Sequence, residues 1–452
     1  MSLVISVTLL SGKTVSLEAE PDESVETFKS RAQEALAVGR GRLVDSTGGV
    51  LDEAAILQKS GLRSGDTLSL SMSRVCVQGH NGGSFAAILG DGFLVTWGRP
   101  EYGGDGGAAQ ALLRDVQQVQ ATEQAFAAIL GDGLVVTWGA TWQAFAAIRG
   151  DGSVVTWGHV EHGGDSNHVQ DQLKDVQQIQ ATRKAFAAIL SDGSVVTWGS
   201  LRHGGNSGAV QHQLKNVQQI QASLFAFAAI LGDGSVATWG EADRSGDSSD
   251  VQCELKDVQQ IQATHRAFAA ILGDGRVVTW GEPSKGGDSS DVQDQLKGVQ
   301  QIQASYFAFA AILCDGSVVT WGEKGAGGDS SDVQHELKDV QQIQATHSAF
   351  AAIRGDGSVV TWGCTFQGGD SSTVQDRLKD VQQIQATWGA FAAILGDGSV
   401  LTWGDPAWGG DAGGAQDHLK DVQQIQSSGN TFVATLGGGS VLTWGRSWQV
   451  IV

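Results

Sequence analysis

The stretch AFAAILSDGSVVTWG, residues 185–199, decides the fold. AFAAIL is an apolar run of strand length. SVVTWG is rich in β-branched and aromatic residues, and Asp-Gly lies between the two. Asp-Gly flanked by such runs is the strongest short-range hairpin signal, and a type I′ turn with positive φ at both central residues is expected. Neither run alternates apolar with polar, so both faces of the sheet should be buried.

The string recurs along the chain. Its tryptophan appears ten times between Trp97 and Trp444, in steps of 41 residues except Trp138 to Trp157, where the step is 19. The short step lacks the segment that elsewhere links one hairpin to the next. One unit is therefore expected to keep its hairpin and lose its linking half, leaving hairpins 125–139 and 144–158 side by side, in one sheet or in an unusually thin one. Between hairpins, VQQIQAT reads as a third strand. VQxxL reads as a fourth, with a single helical turn as the alternative. Four short antiparallel strands per unit, repeated radially, describe a β-propeller blade. Eight to ten blades are expected, closed into a ring or wound as an open array. Closure is preferred because it removes sheet edges, and WQVIV at 448–452 could supply a closing strand.

The pattern TWG-x4-GGD…VQxxLxDVxQIxAT…AFAAILxDGSVVTWG resembles the regulator of chromosome condensation repeat family over about residues 75–452. That family's Gly-Gln-Leu-Gly element appears here as GGDSS. Residues 1–73 carry no repeat. LVISVTLL and TVSLEAE flank Ser11-Gly12-Lys13. A helix with Val25, Phe28, Ala32 and Leu36 on one stripe follows, then RLV at 42–44 and DTLSLSM at 66–72. This is a β-grasp order, and LLSGKTVSLEAEPDESVETFKSRAQ with GLRSGDTLSL resembles ubiquitin. The expected fold class is mainly β: a ubiquitin-like β-grasp domain at 1–73, then a β-propeller of about 41-residue four-stranded repeats at 75–452, one of them truncated.

Ten near-copies allow comparison within one chain. Phe85 and its equivalents precede each tryptophan by 12 and are expected to pack. Two places vary. One is the pair before AF; the other is the four residues after TWG. Tracing the meander puts both at one end of the ring and the GDG turns at the other. Variable loops on a rigid scaffold are where binding resides. The expected protein-binding residues there are Trp142, Arg183, Phe225, His265, Tyr306, Phe307, His347, Trp388 and Trp408. In the β-grasp part, Leu10 and Val44 match two of the three aliphatics of ubiquitin's recognition patch, and Ser71 takes the third place.

The net charge of −20 disfavours nucleic acid and anionic membrane as partners. Four scattered cysteines form no CxxC pair, so neither zinc nor a disulfide framework is indicated, and reduced thiols in an intracellular, cytoplasmic or nuclear protein are expected. The N-terminus has no secretory leader pattern. The GGDSSD loops lack a calcium-loop alternation; their Asp and Ser are expected to cap turns locally. No catalytic motif, cofactor loop or metal set stands out. The expected function is a non-enzymatic interaction scaffold. Its propeller would bind a client protein, and its β-grasp domain would contact ubiquitin-pathway machinery. The family resemblances imply two alternatives, guanine-nucleotide exchange on a small GTPase and substrate recognition for a ubiquitin ligase.

Overall fold

A computed structural model describes residues 3–9, 13–36, 41–45, 49–52, 55–71, 76–80, 84–88, 94–98, 116–121, 125–130, 135–139, 144–148, 152–437, 440–445 and 449–451. The N-terminal part has strands β1 (Leu3–Thr8), β2 (Thr14–Ala19), β3 (Arg42–Val44) and β4 (Thr67–Ser71) and helix α1 (Val25–Leu36). The sheet order is β2-β1-β4-β3, with β1 and β4 parallel, a β-grasp arrangement. Ser24 Oγ accepts from the Thr27 amide and caps α1. Val25, Phe28, Ala32 and Leu36 face the sheet and are buried with Ile5, Val7 and Leu68, as the 3-4-4 spacing requires.

Ten antiparallel sheets follow among the described residues. A typical one has strands Val217–Ala222, Ala226–Leu231 and Val236–Gly240. Neighbouring sheets meet chiefly through their first strands, which therefore line the axis. The first strand of the last sheet, Val422–Ser428, also meets the first strand of the first, Cys76–His80. The body is a closed β-propeller. Among the described residues of the body, only the last sheet has a fourth strand, Gln449–Ile451, paired with Val441–Gly445; WQVIV thus extends the last sheet instead of pairing with the first as a closing strand would.

The alternating faces of AFAAIL explain why it is apolar throughout. Ala226, Ala228 and Ile230 pack against Phe268, Ala270 and Trp280 of the next sheet. Phe227 and Ala229 turn the other way, against Ala185 and Ala187. Small residues on one face receive large ones from the neighbour. Phe227 also lies opposite Trp239 in its own hairpin, with stacked rings 5.2 Å apart.

Three details differ from the sequence reading or sharpen it. The hairpin loops are not type I′. In residues 190–194 the Gly193 amide donates to Leu190 O at 2.9 Å, and Leu190 and Ser194 pair beyond it. Gly193 has φ +76° while Asp192 stays negative. This is a three-residue loop with a left-handed glycine closing a bulge. Asp192 Oδ1 accepts from both the amide and the hydroxyl of Ser194, which holds the aspartate where a type I′ turn would need positive φ.

Second, VQxxL is not a strand: it forms 3-10 helix or turn, as at Gln170–Gln172, so blades have three strands. The outer edge is closed by side chains instead. Gln211 Nε2 donates to Val195 O at 2.9 Å, and its Oε1 accepts from Ser207 Oγ, itself bonded to Thr197. The same clamp runs through Gln252, Gln293, Gln334 and Gln375. Third, the truncated unit forms a two-stranded sheet of its own, Ala144–Ile148 with Val154–Gly158. It is the thin blade, with no inner strand among the described residues.

Candidate site at the variable end of the ring

The two variable loops meet at one end. The first residue after TWG donates its amide to the second residue of the pair in its own sheet, as Glu282 N does to Arg266 O at 2.9 Å. The last carbonyl of the same 3-10 turn accepts from the Thr or Ser that precedes the pair in that same sheet, as Lys285 O does from Thr264 Oγ1 at 3.0 Å and Trp408 O from Thr387 Oγ1 at 2.7 Å. GDG turns occupy the other end. There the Val217 amide donates to Gly193 O at 2.8 Å and ties each turn to the next inner strand.

Along the inner rim of the variable end runs a chain of backbone hydrogen bonds. Arg183 N donates to Leu224 O, Leu224 N to His265 O, His265 N to Tyr306 O, Tyr306 N to His347 O, His347 N to Trp388 O and Trp388 N to Gly429 O, at 2.9–3.3 Å. Each link spans one repeat. Among the described residues the first residue of each variable pair is therefore held in register with the next, and from His265 onward their rings pack on one another. His265 lies 4.5 Å from Tyr306, Tyr306 4.3 Å from His347, and His347 6.0 Å from Trp388; Trp388 in turn stacks on Trp408 at 5.6 Å.

A second row packs beside this ladder. Phe307 meets His265, Tyr306 and His347 edge-on, and Lys285 Nζ sits 4.3 Å above its ring. Phe225 packs on His203, with Arg244 over its face at 4.7 Å. Arg266 pairs with Glu282 at 2.8 Å, and Lys285 with Glu323.

Burial favours the neutral form of both ladder histidines. Burial pushes His265 down to about 4, against a raising effect from its bond to Tyr306 O. Its Nδ1 reaches that carbonyl at 3.0 Å, so the nitrogen carries the proton. Burial also lowers His347 and His203; Lys184 adds to the lowering at His203.

Of the expected residues, the structure brings His265, Tyr306, Phe307, His347, Trp388 and Trp408 into one continuous cluster. Phe225 sits in the neighbouring cluster on His203. Arg183 holds the far end of the ladder and is exposed. Val44 lies on β3 opposite Ser69, away from these loops in the sequence and the sheet order. Trp142 and Leu10 fall outside the described residues. Sequence reasoning missed the exposed apolar side chains of the 3-10 turns: Val160, Leu201 and Phe366, exposed by 64%, 71% and 83%. Their signal was present, as apolar residues in the variable segment after TWG. With Trp388 they make up all the exposed large hydrophobics among the described residues of the repeat body.

The GGDSS loops are locally satisfied. Asp247 Oδ1 accepts from Ser249 N, Asp288 from Ser290 N and Asp329 from Ser331 N. Among the described residues no group of three or more His, Cys, Asp or Glu is placed to hold a metal ion, and no helix is long and apolar enough to cross a membrane.

No protein-family model matches the chain, and no curated protein matches it. Among solved structures it is similar to Prp20p from Saccharomyces cerevisiae, described as binding Gsp1p and histones: 16% identity, covering 66% of this chain and 83% of that one, TM-score 0.36. It is similar to the CRINKLY WD40 ectodomain of the Arabidopsis thaliana receptor kinase ACR4: 15% identity, 58% and 92% covered, TM-score 0.35. Its N-terminal part is similar to the ubiquitin-like domain of Plasmodium falciparum Dsk2: 24% identity, 16% and 96% covered, TM-score 0.14.

Proposed function

We propose that the chain is a non-enzymatic interaction scaffold, with the variable end of the propeller as the face that holds a client protein. The observation that carries this reading is the distribution of exposed apolar side chains. Val160, Leu201, Phe366 and Trp388 all emerge from the variable loops. Isolated exposed apolars are ordinary, but their confinement to one end of a ring, beside Arg and aromatic side chains, is the composition of a protein interface. The GDG end offers the contrast: its turns are small, polar and nearly the same in every repeat.

In this reading the β-grasp domain contacts ubiquitin-pathway machinery through the sheet face around Val44. Val50, bridged to Val44 and 58% exposed, extends that face.

The test is crosslinking capture by the full chain, compared with a variant carrying Leu201→Ser, Phe366→Ser and Trp388→Ser and with a variant carrying Asp233→Asn at the GDG end. The reading expects the first variant to lose a discrete set of captured proteins that the second retains. Equal capture by both variants and the parent chain sinks it. A parallel Val44→Asp variant should lose only ubiquitin-pathway proteins.

A further inference from the structure

The ladder is not uniform along its length. Among the described residues it runs from Arg183 through Leu224 to His265, Tyr306 and His347, whose rings stack, and on to Trp388, whose ring is tilted 44° against His347 at 6.0 Å. Around its start stand Lys184 and Arg202, which like Arg183 have no ion-pair partner among the described residues. All three act on or flank His203, whose ionisation Lys184 and Arg183 both oppose. Further round the ring most of the loop cations pair with carboxylates, Arg244 with Glu241, Arg266 with Glu282 and Lys285 with Glu323, and Lys324 is the exception among the described residues. The variable loops between residues 159 and 408 carry seven Lys or Arg against six Asp or Glu, in a chain whose net charge is −20. The uncompensated positive charge is concentrated at one arc, and the apolar surface continues from it: Leu201 stands beside Arg202, while Trp388 and Phe366 lie at the aromatic arc.

From this we infer that the variable end binds an extended peptide segment that is acidic at one end and apolar at the other. The segment lies along the inner rim with its carboxylates over Arg183, Lys184 and Arg202 and its apolar part over the aromatic arc. The inference deepens the client-binding reading and rests on it. Charge complementarity fixes the acidic end. The stacking itself argues against nucleobases as the apolar part. Single-strand binders offer open ring faces on which bases lie, whereas here the faces of Tyr306 and His347 cover each other and mainly their edges are left.

Fluorescence anisotropy on the full chain tests this with three dye-labelled probes. One is a peptide with a glutamate block followed by a leucine-tryptophan block, the second has lysine in place of glutamate, and the third is a single-stranded oligonucleotide. The glutamate peptide should bind, more weakly as salt rises. The paired substitution R183E/K184E should weaken it by about tenfold or more, and Trp388→Ser likewise. Arg202→Glu, an exposed site whose change spares the fold, should act in the same direction. Unchanged melting temperatures exclude misfolding of the variants. The inference is overturned if the lysine peptide binds as well, if the oligonucleotide binds more tightly, or if the charge reversals leave the glutamate peptide unaffected. Should capture of clients depend on the variable end while no glutamate peptide binds, this inference falls and the client-binding reading stands. Should capture itself ignore the variable end, the client-binding reading is what fails.

Discussion

Ser245 stands where the neighbouring repeats have a glycine, and the indole N–H of Trp280, buried beside it, reaches no acceptor. At five other interfaces the equivalent indole donates to the glycine carbonyl of the preceding repeat, as Trp239 Nε1 does to Gly204 O at 3.0 Å. Those glycines are left-handed, near φ +93° to +97° at Gly163, Gly204 and Gly368. Ser245 instead sits at φ +157° and bonds its hydroxyl to Ser223. Trp444 also lacks a partner although Gly409 is in place, and nothing in the structure explains that. Ser245→Gly should let the carbonyl turn toward Trp280 and stabilise the chain by about 1 kcal/mol, the cost of a buried orphan donor. Chemical denaturation of the two proteins checks this, and a destabilised glycine variant would show that the Ser223 bond matters more.

Acid should loosen the aromatic ladder before it unfolds the rest. His265 is held near 4 by burial, and His347 and His203 are lowered for the same reason. Each binds its proton less readily folded than unfolded. Their contribution to stability is therefore complete above the unfolded value of about 6.5 and is lost as pH falls below it, down to about 4 in the case of His265. The facing charges are Arg266, Glu282 and Lys285 at His265 and Glu323 at His347. Melting temperature followed from pH 7 to pH 4 should drop, and His265→Phe should flatten part of the drop. An identical slope in the variant counts against the assignment.

Much of this architecture was legible in one unit of sequence, and the losses have definite causes. The apolar runs gave two buried faces because AFAAIL has to satisfy two neighbours, Ala228 one side and Phe227 the other. The turn type was misread because Asp-Gly fits two loops, and only the Asp192–Ser194 hydrogen bonds select between them. The fourth strand was misread because Gln211 closes the outer edge with a side chain, which leaves no periodicity. The ladder was hidden because its partners are a full repeat apart in sequence and differ chemically. Setting His265, Tyr306, His347 and Trp388 in a column would have shown a run of rings, but not that their backbones are bonded.

Turn glycines should matter for folding and not for binding. Gly234 has φ +78°, and a Cβ there would lie 2.9 Å from the Asp257 Cα of the next sheet. Gly234→Val should cost about 2 kcal/mol or more through the left-handed backbone and this contact. Client or peptide binding by the folded fraction should be unchanged. Trp388→Ala should do the reverse, since its side chain is 40% exposed: little change in melting temperature and binding weakened by ~1–2 kcal/mol. Paired melting and binding curves on both variants decide whether the functional face has been assigned to the correct end.

The two-stranded sheet should be the soft point of the ring. Among the described residues Ala144–Ile148 pairs only with Val154–Gly158 and has no inner strand behind it. Amides of 144–158 should exchange with deuterium faster than those of the equivalent hairpin Ala267–Leu272 with Val277–Gly281, which is covered on both sides. Peptide-resolved exchange that finds 144–158 the slower of the two contradicts this.

The rim of backbone links bears on how such a chain can change length. Among the described residues, each repeat from Leu224 to Trp388 brings to the rim one amide donor, aimed at the repeat after it, and one carbonyl that serves the repeat before it. Duplicating a unit inserts one of each, and deleting a unit removes one of each, so the tally stays matched. The Gly-to-indole bond follows the same bookkeeping, because it too reaches back by one unit. A gene encoding this ring can therefore gain or lose a copy by unequal crossing-over without rewriting the junctions, and near-identical neighbours are what such a history leaves behind.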